Sequence, residues 1–158
     1  MQARAKRERG SAKHQAKRAA INDMKLRVVW IGKTKSPPTA KLCEDYIARI
    51  KHFLPLEVSE LKELKLDTSD RIVALDPKGK SWTSEAFAKF VQQHMVSDSR
   101  RLTFVIGDYA GLPDSVKKQA EVLWSLSPLT FTHDLTRVLL LEQIYRALTI
   151  INNLPYSR

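Results

Sequence analysis

From Met24 onward, short apolar runs alternate with longer stretches of helical spacing. Leu26–Gly32 (LRVVWIG) is a β-branched apolar run closed by glycine, which predicts a buried strand. Pro37-Pro38 opens a predicted helix from about Thr39 to Phe53. Its apolar positions Leu42, Tyr46, Ile47, Ile50 and Phe53 keep helical spacing. Leu56–Leu64 alternates weakly, as a strand would. Arg71–Asp76 (RIVALD) predicts a second buried strand, with Pro77-Lys78-Gly79 turning the chain after it. Thr83 is placed to cap a helix running to about Val96, with Phe87, Phe90 and Val91 inward. Leu102–Ile106 predicts the third clear strand. Pro113 suits the first position of a helix with Asp114 in its first turn. Glu121–Leu126 is too short to assign. Thr136–Asn152 predicts a long helix packed through Val138, Leu139, Leu141, Ile144, Tyr145 and Leu148. Such alternation means an α/β domain with a mostly parallel sheet and helices on both faces. No internal repeat is present.

Residues 1–23 break the pattern. They contain no Leu, Val, Phe, Trp or Tyr and a single Ile, so they hold no apolar face to bury. They carry seven Lys/Arg against two acids, while the other 135 residues carry 20 against 15. Half of the net charge of +10 therefore sits on a basic, disordered or transiently helical extension. Three readings of it stand: an arm for RNA phosphates, an organelle transit peptide, or an over-extended reading frame. Residues 24–158 form one domain, long enough for a real core.

Charge favours a polyanionic partner, nucleic acid first. The longest apolar stretches, Leu26–Ile31 and Val138–Leu141, are far short of the ~20 residues of a membrane span. Cys43 is the only cysteine and fits a reducing compartment. The histidines His14, His52, His94 and His133 are scattered, so no metal site is expected. Gly32-Lys33-Thr34 and Gly79-Lys80-Ser81 imitate the end of a phosphate-binding loop. The required earlier glycine is Arg27 in one and Ala74 in the other, which rules the motif out. Trp30, Trp82 and Trp124 read as core rather than as stacking platforms.

The candidate chemistry lies late in the chain, in LTFVIGDYAGL (Leu102–Leu112) and in WSLSPLTFTHDLTRVLLLEQIYRALTIINNLPYSR (Trp124–Arg158). Leu75, Gly107 and the loop Leu126, Ser127, Pro128, Leu129, Thr130, Phe131 follow strand ends, where open α/β sheets place ligands. Residue by residue this is also what loop punctuation looks like.

Taken together these segments resemble the ribosomal RNA large subunit methyltransferase H family of knotted SPOUT methyltransferases. The resemblance covers Met24–Arg158, and MKLRVVWIG at Met24 looks like the family's usual start. It implies a C-terminal trefoil knot, a homodimer, and S-adenosyl-L-methionine held by Leu75, Gly107 and Leu126–Phe131. It implies a cytoplasmic enzyme that methylates N3 of a pseudouridine in large-subunit rRNA of the assembled ribosome. Tyr156, Arg158, His133 and Arg146 are the implied catalytic groups; helical spacing alone reads Arg137 and Arg146 as surface ion pairs with Glu142. Two departures stand out. Asp108 replaces the second glycine of a family Gly-Gly, and Ser157 replaces a histidine before the terminal basic residue. A loop and helix common in the family are reduced to Lys65–Asp70. The departures motivate an alternative, a ribosome-binding assembly factor of the same fold with weakened catalysis. A generic α/β domain with a basic RNA-binding arm is a third reading.

Overall fold

The computed structural model describes residues 9–13, 15 and 24–156. The expected extension of residues 1–23 thus lies mostly outside the described residues, as do Ser157 and Arg158. Residues 9–13 and 15 are helical and exposed.

Five strands form one sheet: β1 (Leu26–Ile31), β2 (Leu56–Leu61), β3 (Arg71–Ser81), β4 (Leu102–Val105) and β5 (Val122–Ser125). Their order is β2-β1-β4-β3-β5, and every pairing is parallel. Three helices lie between strands, α1 (Pro37–Lys51), α2 (Ser84–Ser97) and α3 (Asp114–Gln119), and α4 (His133–Ile151) follows β5. One face of the sheet carries Leu26, Val28, Trp30, Val73, Phe104 and Trp124, covered by α1, α4 and α2. The other carries Ile72, Ala74 and Val105 beneath Leu112 and Val116 of the α3 segment. The helices thus lie on both faces, three against one.

The long helix is the centre of the larger layer. Leu140, Leu141, Ile144, Leu148 and Ile151 are all buried, each contributing roughly 2 kcal/mol of burial. It begins at His133, three residues earlier than the apolar spacing predicts, because Thr132 caps it: Leu135 N–H donates to Thr132 Oγ1 at 3.4 Å. Thr83 caps α2 in the same way, with Ala86 N–H donating at 3.1 Å.

Two expectations are corrected. Leu42 is half exposed, because the buried stripe of α1 runs through Cys43 and Ile50 and leaves Leu42 at its edge. Pro77-Lys78-Gly79 does not turn the chain. Strand β3 continues to Ser81, and its pairing with β5 jumps from Leu75↔Trp124 to Lys80↔Trp124. Pro77 has no N–H for the ladder, so the chain bulges there and resumes. A Cβ on Gly79 would meet the Leu123 carbonyl carbon at 2.5 Å, so only glycine permits that return.

Candidate functional site

A cavity of about 280 Å³ opens where the bulge of β3 and the carboxyl ends of β4 and β5 meet the start of α4. Its apolar wall includes Leu75, Ile106, Trp124, Leu126 and Phe131, and its polar groups include Asp76, Asp108 and Lys117. Trp124 makes the floor rigid, stacking on Phe87 at 4.3 Å with Trp82 5.4 Å away.

Each bounding loop is built by local hydrogen bonds. After β4, Asp108 and Gly111 form an isolated bridge. Ala110 N–H donates to Asp108 Oδ1 at 2.8 Å and Gly111 N–H to the Asp108 carbonyl at 2.9 Å. Gly111 takes φ +83° to close the turn. The turn folds back on Gly107, where a Cβ would stand 2.8 Å from the Gly111 carbonyl carbon. After β5, Ser127 organises its own loop. Its Oγ accepts from Leu129 N–H at 3.0 Å, and its carbonyl accepts from Ser125 Oγ at 3.0 Å. At the bulge within β3, Asp76 Oδ1 accepts from Lys78 N–H, while its Oδ2 lies 3.5 Å from Lys117 Nζ.

The start of α4 is tied to the β1–α1 loop. Asp134 accepts from the amides of Lys35 and Ser36, the latter at 2.8 Å. Burial opposes ionisation of Asp134, but those two amides and the Arg137 cation outweigh it and hold the carboxyl below its ordinary range. Arg137 is 3% exposed rather than the surface arginine that helical spacing suggests. It donates to the Ile31 carbonyl at 2.6 Å and to Thr34 Oγ1 at 3.1 Å, with its guanidinium 5.0 Å from the Trp30 ring centre. Burial pushes its pKa down.

Of the residues expected from sequence, Leu75, Gly107, Leu126, Ser127, Leu129, Thr130, Phe131 and His133 line the cavity. Pro128 lies in the same loop without lining it. Arg146 and Tyr156 are elsewhere. Arg146 pairs with Glu142 at 2.6 Å and sits over the Tyr156 ring at 5.1 Å. Tyr156 meets Tyr46 hydroxyl to hydroxyl at 3.3 Å, and burial pushes its phenol pKa far up. His133 and Arg146 stand on one helix about 20 Å apart along its axis, from their separation in sequence. Arg158 lies outside the described residues.

Sequence reasoning missed Asp76, Lys117 and Tyr109 as lining residues. Tyr109 had a signal: an aromatic residue inside a glycine-bearing turn has no core to enter. Lys117 had none, since a lysine in a short helix reads as solvated surface.

Among the described residues no helix is long and apolar enough to cross a membrane, and no group of three or more His, Cys, Asp and Glu could hold a metal ion. Residues 24–157 match the family model described as "Predicted SPOUT methyltransferase". The chain is 40% identical over 151 residues to the ribosomal RNA large subunit methyltransferase H of Trichlorobacter lovleyi, covering 84% of this chain and 99% of that one. It is 38% identical over 139 residues to the protein of the same name from Coprothermobacter proteolyticus, covering 85% of this chain and all of the relative. A crystal structure of a probable methyltransferase from Bordetella pertussis Tohama I superposes with a TM-score of 0.53 at 14% identity, over 85% of this chain and 99% of that chain, a likeness of fold. The chain belongs to the ribosomal RNA large subunit methyltransferase H family of SPOUT methyltransferases.

Proposed function

We propose that this protein is an S-adenosyl-L-methionine-dependent methyltransferase acting on N3 of a pseudouridine in the large-subunit rRNA of assembled ribosomes. The observation that carries the reading is the cavity between the bulge of β3 and the ends of β4 and β5. Its chemistry fits the cofactor. Leu75, Leu129 and Phe131 offer apolar surface for a purine ring. Asp76 and Asp108 offer negative charge for the sulfonium and ammonium groups, and Lys117 offers positive charge for the carboxylate. Among the described residues, the backbone amides of Thr130 and Phe131 have no hydrogen-bond acceptor, which leaves donors for ring edges.

The bound cofactor supplies an activated methyl group. This chain's task is to position and deprotonate. N3 must lose its proton and approach in line, and alignment accounts for most of the rate. Tyr156 and Arg158 position the base and stabilise its anion, with Arg146 beside Tyr156 and His133 at the cavity. Arg146 and Tyr156 stand too far from their own cavity to serve it, which supports a homodimer in which each cavity is completed by the partner's C-terminal segment. The match to a SPOUT methyltransferase family model supports a C-terminal trefoil knot. The relatives' names support large-subunit rRNA as substrate, and a cytoplasmic site of action follows from that substrate.

The test is calorimetric titration of the full chain with S-adenosyl-L-methionine, followed by labelled methyl transfer to unmethylated ribosomes. Saturable binding and one reverse-transcription stop at a pseudouridine are expected. Because Asp108 lines the cavity, the assembly-factor alternative also has an observation behind it. It predicts ribosome binding without turnover, and any wild-type turnover eliminates it.

A further inference from the structure

Tyr109 is 94% exposed, more than any other large apolar residue described, and Leu129 on the facing loop is 71% exposed. Both line the cavity. A ring left in water forgoes the gain of burial, and a four-residue turn does not require an aromatic residue. Nor is the ring loose on a soft loop. Three residues of its turn are locked: Asp108 through both its carboxylate and its carbonyl, Gly111 through the bridge and a positive φ, and Gly107 through its close backbone contact with Gly111. The turn therefore holds a bare aromatic ring at the mouth of the cavity.

We propose that Tyr109 is the platform on which the target RNA base stacks as it enters the cavity. The inference rests on the reading of this site as an RNA methyltransferase. A base must leave its helical stack before N3 can reach a buried methyl group, and it loses stacking as it does so. A protein ring replaces that loss whatever the neighbouring sequence. Asp108 also holds the turn that carries Tyr109, through the bond its carboxylate accepts from Ala110 N–H.

The test uses the full chain with Tyr109→Phe, Tyr109→Leu and Tyr109→Ala. Three quantities are measured: the Kd for S-adenosyl-L-methionine by calorimetry, the Kd for unmethylated ribosomes by filter retention with the demethylated cofactor present, and the oligomeric state by sedimentation. Tyr109→Phe should match wild type in all three. Tyr109→Leu and Tyr109→Ala should keep cofactor affinity and oligomeric state but weaken ribosome binding roughly tenfold or more. Wild-type ribosome affinity in Tyr109→Leu would mean that no ring is needed, and the proposal falls. A matching loss of cofactor affinity would assign the ring to adenine, and a shift to monomer would assign it to a second copy of the chain; either overturns the proposal. A wild type that holds neither cofactor nor ribosomes defeats the functional reading and this inference together. If wild type holds both and Tyr109→Ala is indistinguishable from it, the inference alone fails.

Discussion

The two ends of the sheet are built on opposite terms. At the amino ends of the strands, arginines are closed into networks. Arg71 and Arg100 share Glu121 at 2.9 and 2.6 Å, and Arg100 also holds Asp98 at 2.8 Å. Arg101 binds Asp70 and Glu57, and Thr103 Oγ1 donates to Asp70 at 2.7 Å. At the carboxyl ends, Lys33, Lys35, Lys62 and Lys78 are exposed, Lys80 lies over the Trp82 ring at 4.7 Å, and Tyr109 and Leu129 face solvent. One end is satisfied internally and holds the strands in register. The other has internal pairs too, Asp76 with Lys117 and Asp134 with Arg137, but leaves exposed lysines and apolar surface facing outward. A lesion at the first end should cost stability, and a lesion at the second should cost binding.

The largest separation should come from Asp70→Ala. The carboxylate is 4% exposed and accepts from Arg101 and Thr103. Its loss leaves the buried Thr103 hydroxyl unpaired and Arg101 held only by Glu57 and Asp67, a cost of about 2–3 kcal/mol in denaturant unfolding. Cofactor affinity measured well below the new transition should be unchanged. A loss of affinity in the folded variant would mean that the two ends are coupled.

Gly107→Ala is the converse. Its Cβ would stand 2.8 Å from the Gly111 backbone, so the β4 turn must open. Affinity for S-adenosyl-L-methionine should fall tenfold or more, about 1.4 kcal/mol. Global unfolding should move by less than it does for Asp70→Ala, because the displaced turn is exposed.

The satisfied end should also reveal itself in acid. His94 is fully buried, with Nε2 2.9 Å from the Arg100 carbonyl and Nδ1 3.2 Å from an Arg71 nitrogen. Burial pushes its pKa below the ordinary imidazole value of about 6.5. The unfolded chain therefore takes up a proton that the folded chain refuses. This contribution to stability is complete above pH 6.5 and is lost as pH falls from there toward the lower folded value. His94→Gln, which keeps a donor toward Arg100, should flatten that part of the stability profile. An unchanged slope would place the acid sensitivity elsewhere.

Sequence patterning reached the fold further than it reached the site. β1, β4 and α2 are legible because their apolar periods are clean and Thr83 is a good cap. β3 is legible only to Asp76, since Pro77 and Gly79 signal a turn by local chemistry while pairing with β5 carries the strand onward. Strand order depends on contacts between distant segments, so no periodicity could give it. Strand ends marked the cavity loops as candidates, but only resemblance gave them a ligand, because Gly107, Ser127 and Pro128 are ordinary turn residues until the strands bring them together. Resemblance also placed Arg146 and Tyr156 with the site, and in this chain they stand apart from it.

The finest test of the comparison is Ser127→Ala. It removes one acceptor, the hydroxyl oxygen that takes Leu129 N–H, and leaves the Ser125 contact to the Ser127 carbonyl in place. One hydrogen bond of this kind contributes about 1 kcal/mol. On this exposed loop it restrains Leu129 and Thr130 rather than the core. Cofactor affinity should therefore drop about fivefold while the unfolding midpoint stays where it was, and Ser127→Thr, which retains a hydroxyl, should recover much of the loss. A fall in midpoint comparable with that of Asp70→Ala would mean that the β5 loop is part of the structural frame, and the division between the two ends of the sheet would not hold.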